Sequence, residues 1–307
     1  MLIEKMATEL GIPVRFVQKL ANSASHEYKS YNIPKRSGGF REIHHPSRQL
    51  KGLQRWLLTN VIDKFPVHEA ATAYRKGGSI FKNAATHATS RYLLRMDFEN
   101  FFPSIKSADL RAYLHRCAEH QLVELDGWTS NDTDLFCQIV LRHSALTIGA
   151  PTSPALSNAI CYDLDAAITT LCDQRRVKYT RYADDLFFST VQANILRAIE
   201  AEVPHLVSSM NFPVGLAINR TKTRHSSKKR ARRVTGIVLG SDGKPYVGRK
   251  VKREIRALIH RLSSLDGPSR ASLSGKIAQV MGFDPNFINS LILKYGHQTI
   301  EMARLRR

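Results

Sequence analysis

Two apolar segments flank an acidic dipeptide in the second half of the chain. Residues 177–182 and 186–190 are rich in aromatic and β-branched side chains, and Asp184 and Asp185 lie between them. This composition on both sides of a short polar turn predicts a β-hairpin. We therefore expect both carboxylates at the tip of that hairpin.

An earlier apolar segment, residues 92–96, also ends in an acid, Asp97, and the pattern breaks at Pro103. Burial of an aspartate at the end of a strand is costly unless the carboxylate is paired or bound to a metal ion. Helix capping is the alternative role for Asp97, but Ser104 is better placed to cap a helix from Lys106 onward. The sequence therefore indicates a binding role for Asp97.

Apolar residues recur at helical spacing after Ser153 and Pro154, which suit the N-cap and first turn of a helix. These apolar positions are Leu156, Ile160, Leu164, Ile168 and Leu171. We expect one long helix that packs beneath a sheet formed by the two acidic segments.

A second helical pattern combines an apolar face with a basic one. The apolar positions are Val251, Ile255, Leu258, Ile259 and Leu262, and the basic ones are Arg249, Lys250, Lys252, Arg253 and Arg256. A basic helix face is usually only solvated, but this density favours contact of Lys252, Arg253 and Arg256 with a nucleic-acid backbone. A further helix near residues 287–295 is predicted by the same spacing.

A basic hairpin is predicted near the start of the chain. Residues 37–39, Ser-Gly-Gly, form a turn signal between two basic segments that include Lys35 and Arg41. Such lysines also occur on solvated edge strands, where they prevent aggregation. The pattern alone does not distinguish a hairpin whose basic side chains are only solvated from one whose basic side chains bind a ligand.

The charge of the chain narrows the choice of partner. The 46 Lys and Arg residues against 26 Asp and Glu give a formal charge of +20 and a pI near 10.1. Residues 219–307 hold 21 Lys and Arg against 5 Asp and Glu, a net +16. We expect a polyanionic partner that faces this end of the chain. The length of 307 residues predicts two or three subdomains.

Cysteine spacing and hydropathy indicate the compartment. The four cysteines lack Cys-x-x-Cys spacing, so they are interpreted as buried thiols of a reducing compartment. The first residues lack the apolar core of a signal peptide, and no run approaches the roughly 18 apolar residues of a membrane span. We expect a cytoplasmic protein with no membrane contact.

The acidic residues together predict a metal site. Adjacent carboxylates repel and raise each other's pKa, so a fold that brings Asp184 and Asp185 near Asp97 usually holds a cation. Mg²⁺ suits hard oxygen ligands, Mn²⁺ is the alternative ion, and two ions would serve phosphoryl transfer. The alternative is that Asp184 and Asp185 form a polar turn whose only effect is to keep the hairpin soluble.

Asp97 is followed 87 positions later by Asp184 within Tyr-Ala-Asp-Asp, and this spacing resembles the reverse transcriptases. Residues 149–158, Gly-Ala-Pro-Thr-Ser-Pro-Ala-Leu-Ser-Asn, are similar to the turn and helix start that lie against template and nucleotide in that family. Residues 83–87 (Asn-Ala-Ala-Thr-His) and 234–236 (Val-Thr-Gly) resemble signatures of bacterial retron reverse transcriptases. The resemblance covers nearly the whole chain and implies an RNA-directed DNA polymerase.

The resemblance implies an α+β right-hand polymerase. Fingers with N-terminal helices would occupy residues 1–90, the palm 91–240 with part of the fingers interleaved, and a helical basic thumb 241–307. In a chain of 307 residues divided in this way, we expect no maturase, endonuclease or RNase H domain.

The resemblance also implies a set of site residues. The metal ligands would be Asp97, Asp184, Asp185 and the backbone carbonyl of Phe98, and Lys222 would protonate or neutralise pyrophosphate, although a phosphate-backbone contact also explains it. Residues for the nucleotide and primer would be Lys35, Arg41, Phe102, Gly149 and Tyr182. Residues for RNA or DNA would be Asn83, His87, Thr235 and Gly236. One departure is Ile148, where relatives commonly carry Gln.

Retron enzymes, by this resemblance, copy one structured non-coding RNA into a short branched DNA. They use dNTPs and prime from the 2′-hydroxyl of an internal guanosine. A separate effector protein in anti-phage defence and a host RNase H would be the partners. Two alternatives remain open: a group II intron-like reverse transcriptase with a 3′-hydroxyl primer, and a non-catalytic RNA-binding scaffold.

Overall fold

The computed structural model describes residues 1–35, 38–120 and 127–305. In this part of the chain, helices surround three antiparallel sheets. The fold class is α+β, as predicted. The turn of the predicted basic hairpin includes Ser37, which lies outside the described residues.

The described residues form fourteen α-helices: α1 (Leu2–Leu10), α2 (Val14–Asn22), α3 (Arg48–Asn60), α4 (Ile80–Ala88), α5 (Phe101–Ser104), α6 (Ser107–Glu119), α7 (Ser130–Val140), α8 (Ser153–Ile160), α9 (Tyr162–Asp173), α10 (Ile195–Ser209), α11 (Arg249–His260), α12 (Gly267–Met281), α13 (Pro285–Tyr295) and α14 (His297–Arg304). Short 3₁₀ helices occur at Ala24–His26, Ile62–Lys64, Arg220–Lys222 and Leu262–Ser264.

The same residues form nine strands: β1 (Tyr28–Pro34), β2 (Phe40–Pro46), β3 (Tyr92–Asp97), β4 (Lys178–Tyr182), β5 (Asp185–Thr190), β6 (Arg224–Ser227), β7 (Arg232–Val234), β8 (Ile237–Leu239) and β9 (Pro245–Tyr246). Strands β1 and β2 form the basic hairpin, and β7, β8 and β9 form a three-stranded sheet. The remaining four strands form one sheet in the order β4-β5-β3-β6.

The four-stranded sheet determines where the acidic residues lie. Strand β5 is antiparallel to β4 across the hairpin and to β3 on its other side, with Leu94 opposite Phe188. All residues of β5 after Asp185 are buried. Helices α4 and α10 both contact β5, and this coverage explains why its sequence is almost continuously apolar.

Three clusters of buried side chains form the interior. The largest extends from Leu2 to Leu216, so the predicted fingers and palm share one core. A separate cluster from Val247 to Ala303 is built by α11 to α14, the predicted thumb, and a third joins α4 to β7 and β8. The predicted boundaries at residues 90 and 240 stay predictions.

One helical prediction needs correction. The long helix expected after Ser153 is two helices, α8 and α9, which meet at Cys161. The apolar stripe continues across the junction, and Leu171 is only half-buried. Strand β3 ends at Asp97, and Phe101 and Phe102 begin the short helix α5.

The other sequence expectations concern thiols and membranes. All four cysteines are free and buried, which confirms that part of the interpretation. No helix in the described part of the chain has both the length and the apolar character needed to cross a membrane.

Candidate active site

Strand pairing brings Asp97 and Asp184 together. Asp97 ends β3 opposite Asp185, and the backbone N–H of Phe98 donates to the carbonyl of Asp184 at 3.0 Å. The hairpin turn consists of Ala183 and Asp184, because Tyr182 already pairs with Asp185. Ala183 has a left-handed φ of 58°, which is uncommon for a residue with a side chain.

The electrostatics of Asp184 favour binding of a cation nearby. Burial raises the pKa of Asp184 above its usual value, and the negative charge of Asp97 raises it further. The nearby positive charges of Lys222 and Arg41 lower this pKa, but they do not cancel the increase. Two close, partly buried carboxylates therefore gain from a cation that neutralises both.

Asp185, the third acidic residue, forms an ion pair with Arg95. Arg95 donates to Asp185 Oδ1 from Nη2 at 2.7 Å and from Nε at 3.0 Å. Burial still raises the pKa of Asp185 to about 6 despite Arg95. The charges of Asp184 and Asp97 add to this increase, so Asp185 belongs to the same acidic cluster. Because Arg95 binds one of its oxygens here, the role of Asp185 as a third metal ligand stays a prediction.

Lys222 contacts the other carboxylate of the site. Its Nζ lies 2.6 Å from Oδ1 of the buried Asp97, while 55% of the lysine side chain remains exposed. Asn219 positions it, because the Asn219 side chain accepts from the N–H of Lys222 and the Asn219 N–H donates to the Asp97 carbonyl. The structure thus places Lys222 at the acidic site; its role as a proton donor stays a prediction.

The available ligands fit divalent ions bound by oxygen. Among the described residues, no three acidic, histidine or cysteine side chains lie close enough to hold an ion between them. Two carboxylates, Asp97 and Asp184, need a further ligand. The bridge between Phe98 and Ile218 is made by bonds of their flanking residues, so it does not use the Phe98 carbonyl. This carbonyl therefore fits the predicted ligand role.

The two phenylalanines of α5 differ in exposure. Phe101 is buried and stacks on Phe98, with ring centroids 5.6 Å apart. Phe102 is half-buried, so of these two phenylalanines only Phe102 has a ring that a bound nucleotide can contact. The predicted sugar contact of Phe102 stays a prediction that this exposure supports.

Tyr74 is a site residue that the sequence analysis missed. It is 50% exposed, its φ is 58°, and its ring centroid lies 6.4 Å from that of Phe102. Burial raises the pKa of Tyr74, and the Asp184 charge raises it further. A left-handed aromatic residue is a backbone outlier that marks a constrained site. Its only sequence signal is the Gly-Gly pair three residues later.

The basic hairpin and the Gly149 segment contact each other. The N–H of His44 in β2 donates to the carbonyl of Ile148 at 2.8 Å. Gly149 has φ 118°, and a Cβ there would lie 2.3 Å from the His44 carbonyl oxygen. Arg41 is exposed on β2 within electrostatic range of Asp184, and Lys35 is exposed at the end of β1. Nucleotide binding by these residues stays a prediction, as does primer contact by the half-buried Tyr182.

Asn83 and His87 are core residues, which corrects their predicted contact with RNA. Both are completely buried on α4. His87 hydrogen-bonds to the hydroxyls of Ser189 and Thr180, each at 2.8 Å, and Thr180 donates to Asn83 Oδ1. Thr180 has one hydroxyl hydrogen, so Nε2 of His87 donates to it. These side chains fasten α4 to β4 and β5 and cannot reach a ligand.

Thr235 and Gly236 form the two-residue turn between β7 and β8. Both have positive φ, 47° and 86°, as a type I′ hairpin requires. The Thr235 hydroxyl donates to the carbonyl of Ile80 at 3.2 Å, which attaches the turn to α4. Gly236 is exposed, and its predicted contact with nucleic acid stays a prediction.

The three basic residues predicted to contact the duplex do not share one environment. Lys252 Nζ lies 2.7 Å from Oδ2 of the buried Asp284 and 4.8 Å from the ring centroid of Phe287. Arg256 also covers that ring, whereas Arg253 is exposed. Residues 252 and 256 are one turn apart and face α13. Lys252 therefore packs within the predicted thumb, which corrects its predicted contact with the nucleic-acid backbone.

Comparison with known proteins identifies the class. The sequence pattern of the family described as reverse transcriptase (RNA-dependent DNA polymerase) matches residues 33–239. The retron Ec83 reverse transcriptase of Escherichia coli is 34% identical over 288 residues, covering 92% of this chain and 90% of that protein. The retron Ec86 reverse transcriptase of the same species is 30% identical, covering 98% and 93%.

Solved structures agree at the level of the fold. Telomerase from Candida tropicalis aligns with a TM-score of 0.54 at 11% identity, over 90% of this chain and 60% of that one. Telomerase from Candida albicans aligns with a TM-score of 0.50 at 12% identity, over 94% and 58%. This chain thus spans about three fifths of those proteins, and the likeness supports the right-hand polymerase fold.

The protein is an RNA-directed DNA polymerase. The chain belongs to the reverse transcriptases, within their retron family. The family implies a divalent metal cofactor, in agreement with the oxygen ligands described above.

Proposed function

We propose that this enzyme copies part of one structured non-coding RNA into a short DNA that stays joined to the RNA at a branch. The first nucleotide would be attached to the 2′-hydroxyl of an internal guanosine. Similarity to proteins named retron reverse transcriptases supports this proposal, as do the segments 83–87 and 234–236. The chemistry is reasonable because the active site requires only a hydroxyl held in line with an α-phosphate.

The observation that carries the catalytic part is the approach of Asp97, Asp184 and Lys222. Asp97, Asp184 and the Phe98 carbonyl, with Asp185 completing the acidic cluster, would hold two Mg²⁺ ions, with Mn²⁺ as the alternative. Bound there, such ions lower the pKa of the attacking hydroxyl and neutralise the leaving pyrophosphate.

The protein side chains supply charge and shape. Lys222, 2.6 Å from Asp97, neutralises or protonates the pyrophosphate as it leaves. Lys35 and Arg41 bind the triphosphate of the incoming dNTP, which requires the basic hairpin to cover the site. Phe102 excludes the 2′-hydroxyl of a ribonucleotide by repulsion. The exposed part of its ring is the surface available for this contact.

The proposal includes partners and a cellular setting. A host RNase H trims the RNA strand of the hybrid, and a separate effector protein works with the branched product in anti-phage defence. Both would meet the enzyme in the cytoplasm. The formal charge of +20 suits lasting association with the RNA and its DNA product.

The first experiment tests the site. Asp184→Asn should abolish incorporation of labelled dNTP while it preserves folding and RNA binding, because it removes one carboxylate of the pair. Asp173→Asn, an exposed carboxylate at the end of α9, is the matched control and should retain full activity. Wild-type incorporation by Asp184→Asn would refute the catalytic assignment.

The second experiment tests the primer. The RNA that copurifies with the protein is identified and resynthesised with 2′-deoxyguanosine at the priming position. With dNTPs and Mg²⁺, natural RNA should acquire covalently attached DNA, and the deoxy RNA should acquire none. Continued synthesis on the deoxy RNA, or free linear DNA after alkali with no branch nucleotide, would favour an ordinary 3′-hydroxyl primer.

A further inference from the structure

A buried ion pair lies directly beneath the catalytic turn. The side chains of Arg181 in β4 and Asp165 in α9 are both fully buried. Arg181 donates from Nη2 to Asp165 Oδ2 at 2.6 Å and from Nε to Oδ1 at 2.8 Å, and the Tyr179 hydroxyl also donates to Oδ1 at 2.8 Å. Asp165 thereby fixes the plane of the guanidinium.

Stability alone is a weak reason for such a pair. Removing two charges from water costs several kcal/mol per ion, roughly, and a packed apolar pair of similar volume is often as stable or more so. A guanidinium differs from an apolar side chain because it has five N–H donors in a fixed plane. The donors that Asp165 does not use therefore indicate what the pair does.

The remaining donors reach the catalytic turn. Nη1 of Arg181 donates to the carbonyl of Ala183 at 3.2 Å and to Asn158 Oδ1 at 3.2 Å. Ala183 is the left-handed residue of the turn, and the next residue is Asp184. A left-handed alanine persists only where surrounding contacts enforce it. The bond to its carbonyl is such a contact, and it sets the direction in which Asp184 leaves the turn.

The same arginine also fastens the loop that carries Tyr74. The backbone N–H of Arg181 donates to the Ala70 carbonyl at 2.7 Å, and the backbone carbonyl of Arg181 accepts from the N–H of Thr72 at 2.8 Å. Asn158 extends the network, because its amide donates to the Ala73 carbonyl at 2.8 Å. One network thus contacts the left-handed Ala183 and the residues that directly precede the left-handed Tyr74.

We propose that Arg181, oriented by Asp165, is a positioning residue for DNA synthesis. It holds the backbone of Ala183 so that Asp184 faces Asp97, and through Asn158 its side chain links that turn to the Ala73 carbonyl beside Tyr74. Arg181 is fully buried and acts only through these groups. This inference rests on the proposed catalytic role of Asp184.

The first test replaces Arg181 with Lys. A lysine keeps the charge beside Asp165, but its ammonium cannot also reach Ala183 and Asn158 in the planar geometry of a guanidinium. A displacement of about 1 Å at a reacting group costs on the order of 100-fold in rate, so kcat should fall by about that factor. The KM for dNTP and the affinity for RNA should stay near wild type.

The matched control is Arg175→Lys. Arg175, which follows α9, donates from Nη2 to both oxygens of Glu202 in α10 at 2.8 and 2.7 Å, so the same substitution alters another arginine–carboxylate ion pair. This variant should keep wild-type kcat. An equal fall of kcat in both variants would overturn the proposal, because loss of any such ion pair would then suffice.

The second test separates positioning from folding. The double variant Asp165→Leu with Arg181→Met removes the pair without leaving one charge buried alone. We expect a folded protein with a lower thermal unfolding midpoint, because the Tyr179 hydroxyl and Asn158 Oδ1 lose their partners. Its kcat should still be reduced about 100-fold, with a higher Mg²⁺ concentration for half-maximal synthesis. If kcat and the Mg²⁺ requirement return to wild type in this folded variant, the pair only stabilises the fold.

Failure of the inference can be distinguished from failure of the proposed function. An active Asp184→Asn variant would refute the site itself. An inactive Asp184→Asn variant together with wild-type kcat for Arg181→Lys would overturn only the positioning role. If neither Arg181 variant folds, the pair is a determinant of the fold and the proposal is overturned as well.

Discussion

His87 provides a sharp test of the buried network between α4 and the central sheet. Its ring is completely buried and hydrogen-bonds to Ser189 and Thr180. Burial lowers the pKa of His87 to about 3, and the positive charge of Lys178 adds a smaller decrease. The imidazole is therefore neutral in the folded protein at every pH at which the enzyme would be assayed.

The expected effect on stability follows from proton linkage. In the unfolded chain the imidazole of His87 titrates near 6.5, so below that pH the unfolded state binds a proton that the folded state does not. Stability from this residue is fully present above pH 6.5 and falls between pH 6.5 and about 3. At pH 5 the difference is about 1.5 pK units, or about 2 kcal/mol relative to pH 7.

The perturbation is His87→Gln, which keeps an amide for hydrogen bonding and removes the titration. His205→Gln, at an exposed position on α10, is the matched control. The free energy of unfolding is measured by urea titration at pH 7 and pH 5. Wild type and the control should lose about 2 kcal/mol more between these pH values than His87→Gln does.

Equal pH dependence in all three proteins would refute the neutral buried imidazole at position 87. RNA affinity at pH 7 gives a second check on the same variant. A core His87 predicts wild-type affinity for folded His87→Gln, because no ligand can reach the ring. If His87→Gln loses RNA binding without loss of stability, His87 contacts RNA directly and is not a core residue.

Phe102→Ala should admit ribonucleotides, because the missing ring leaves room for a 2′-hydroxyl; an unchanged ratio of rNTP to dNTP incorporation would place the gate elsewhere. Arg253→Gln should reduce the slope of log affinity against log salt by about 0.7 to 0.9, as one released phosphate contact predicts. Lys252→Gln should leave that slope unchanged and lower the unfolding temperature, because it leaves the buried Asp284 unpaired; a flatter slope for Lys252→Gln would show that the lysine faces the duplex.

Local pattern predicted the elements that carry chemistry. Alternating and continuous apolar segments are properties of the chain itself, so the hairpin of β4 and β5 and the strand before Asp97 could be recognised. The junction between α8 and α9 could not. The apolar stripe continues through Cys161, and neither glycine nor proline marks the bend.

The local sequence pattern also could not predict that Asp184 and Asp185 have different environments. This difference depends on which of the two residues occupies the turn and on Arg95, a partner 90 positions away across the sheet. The burial of Asn83 and His87 depends in the same way on Thr180 and on Ser189. Polar residues on a helix look like surface residues until their distant partners are known.

Ile148 hydrogen-bonds to the basic hairpin through its backbone and not through its side chain. The Ile148 side chain cannot form a hydrogen bond, but its backbone carbonyl accepts from the N–H of His44 in β2. At the next residue, a Cβ would lie 2.3 Å from the His44 carbonyl oxygen, so only glycine permits this approach. Strand β2 also carries Arg41, which lies within electrostatic range of Asp184. Substitution at position 148 is therefore compatible with a basic hairpin fixed over the site, whereas substitution at Gly149 would displace the hairpin and its arginine together.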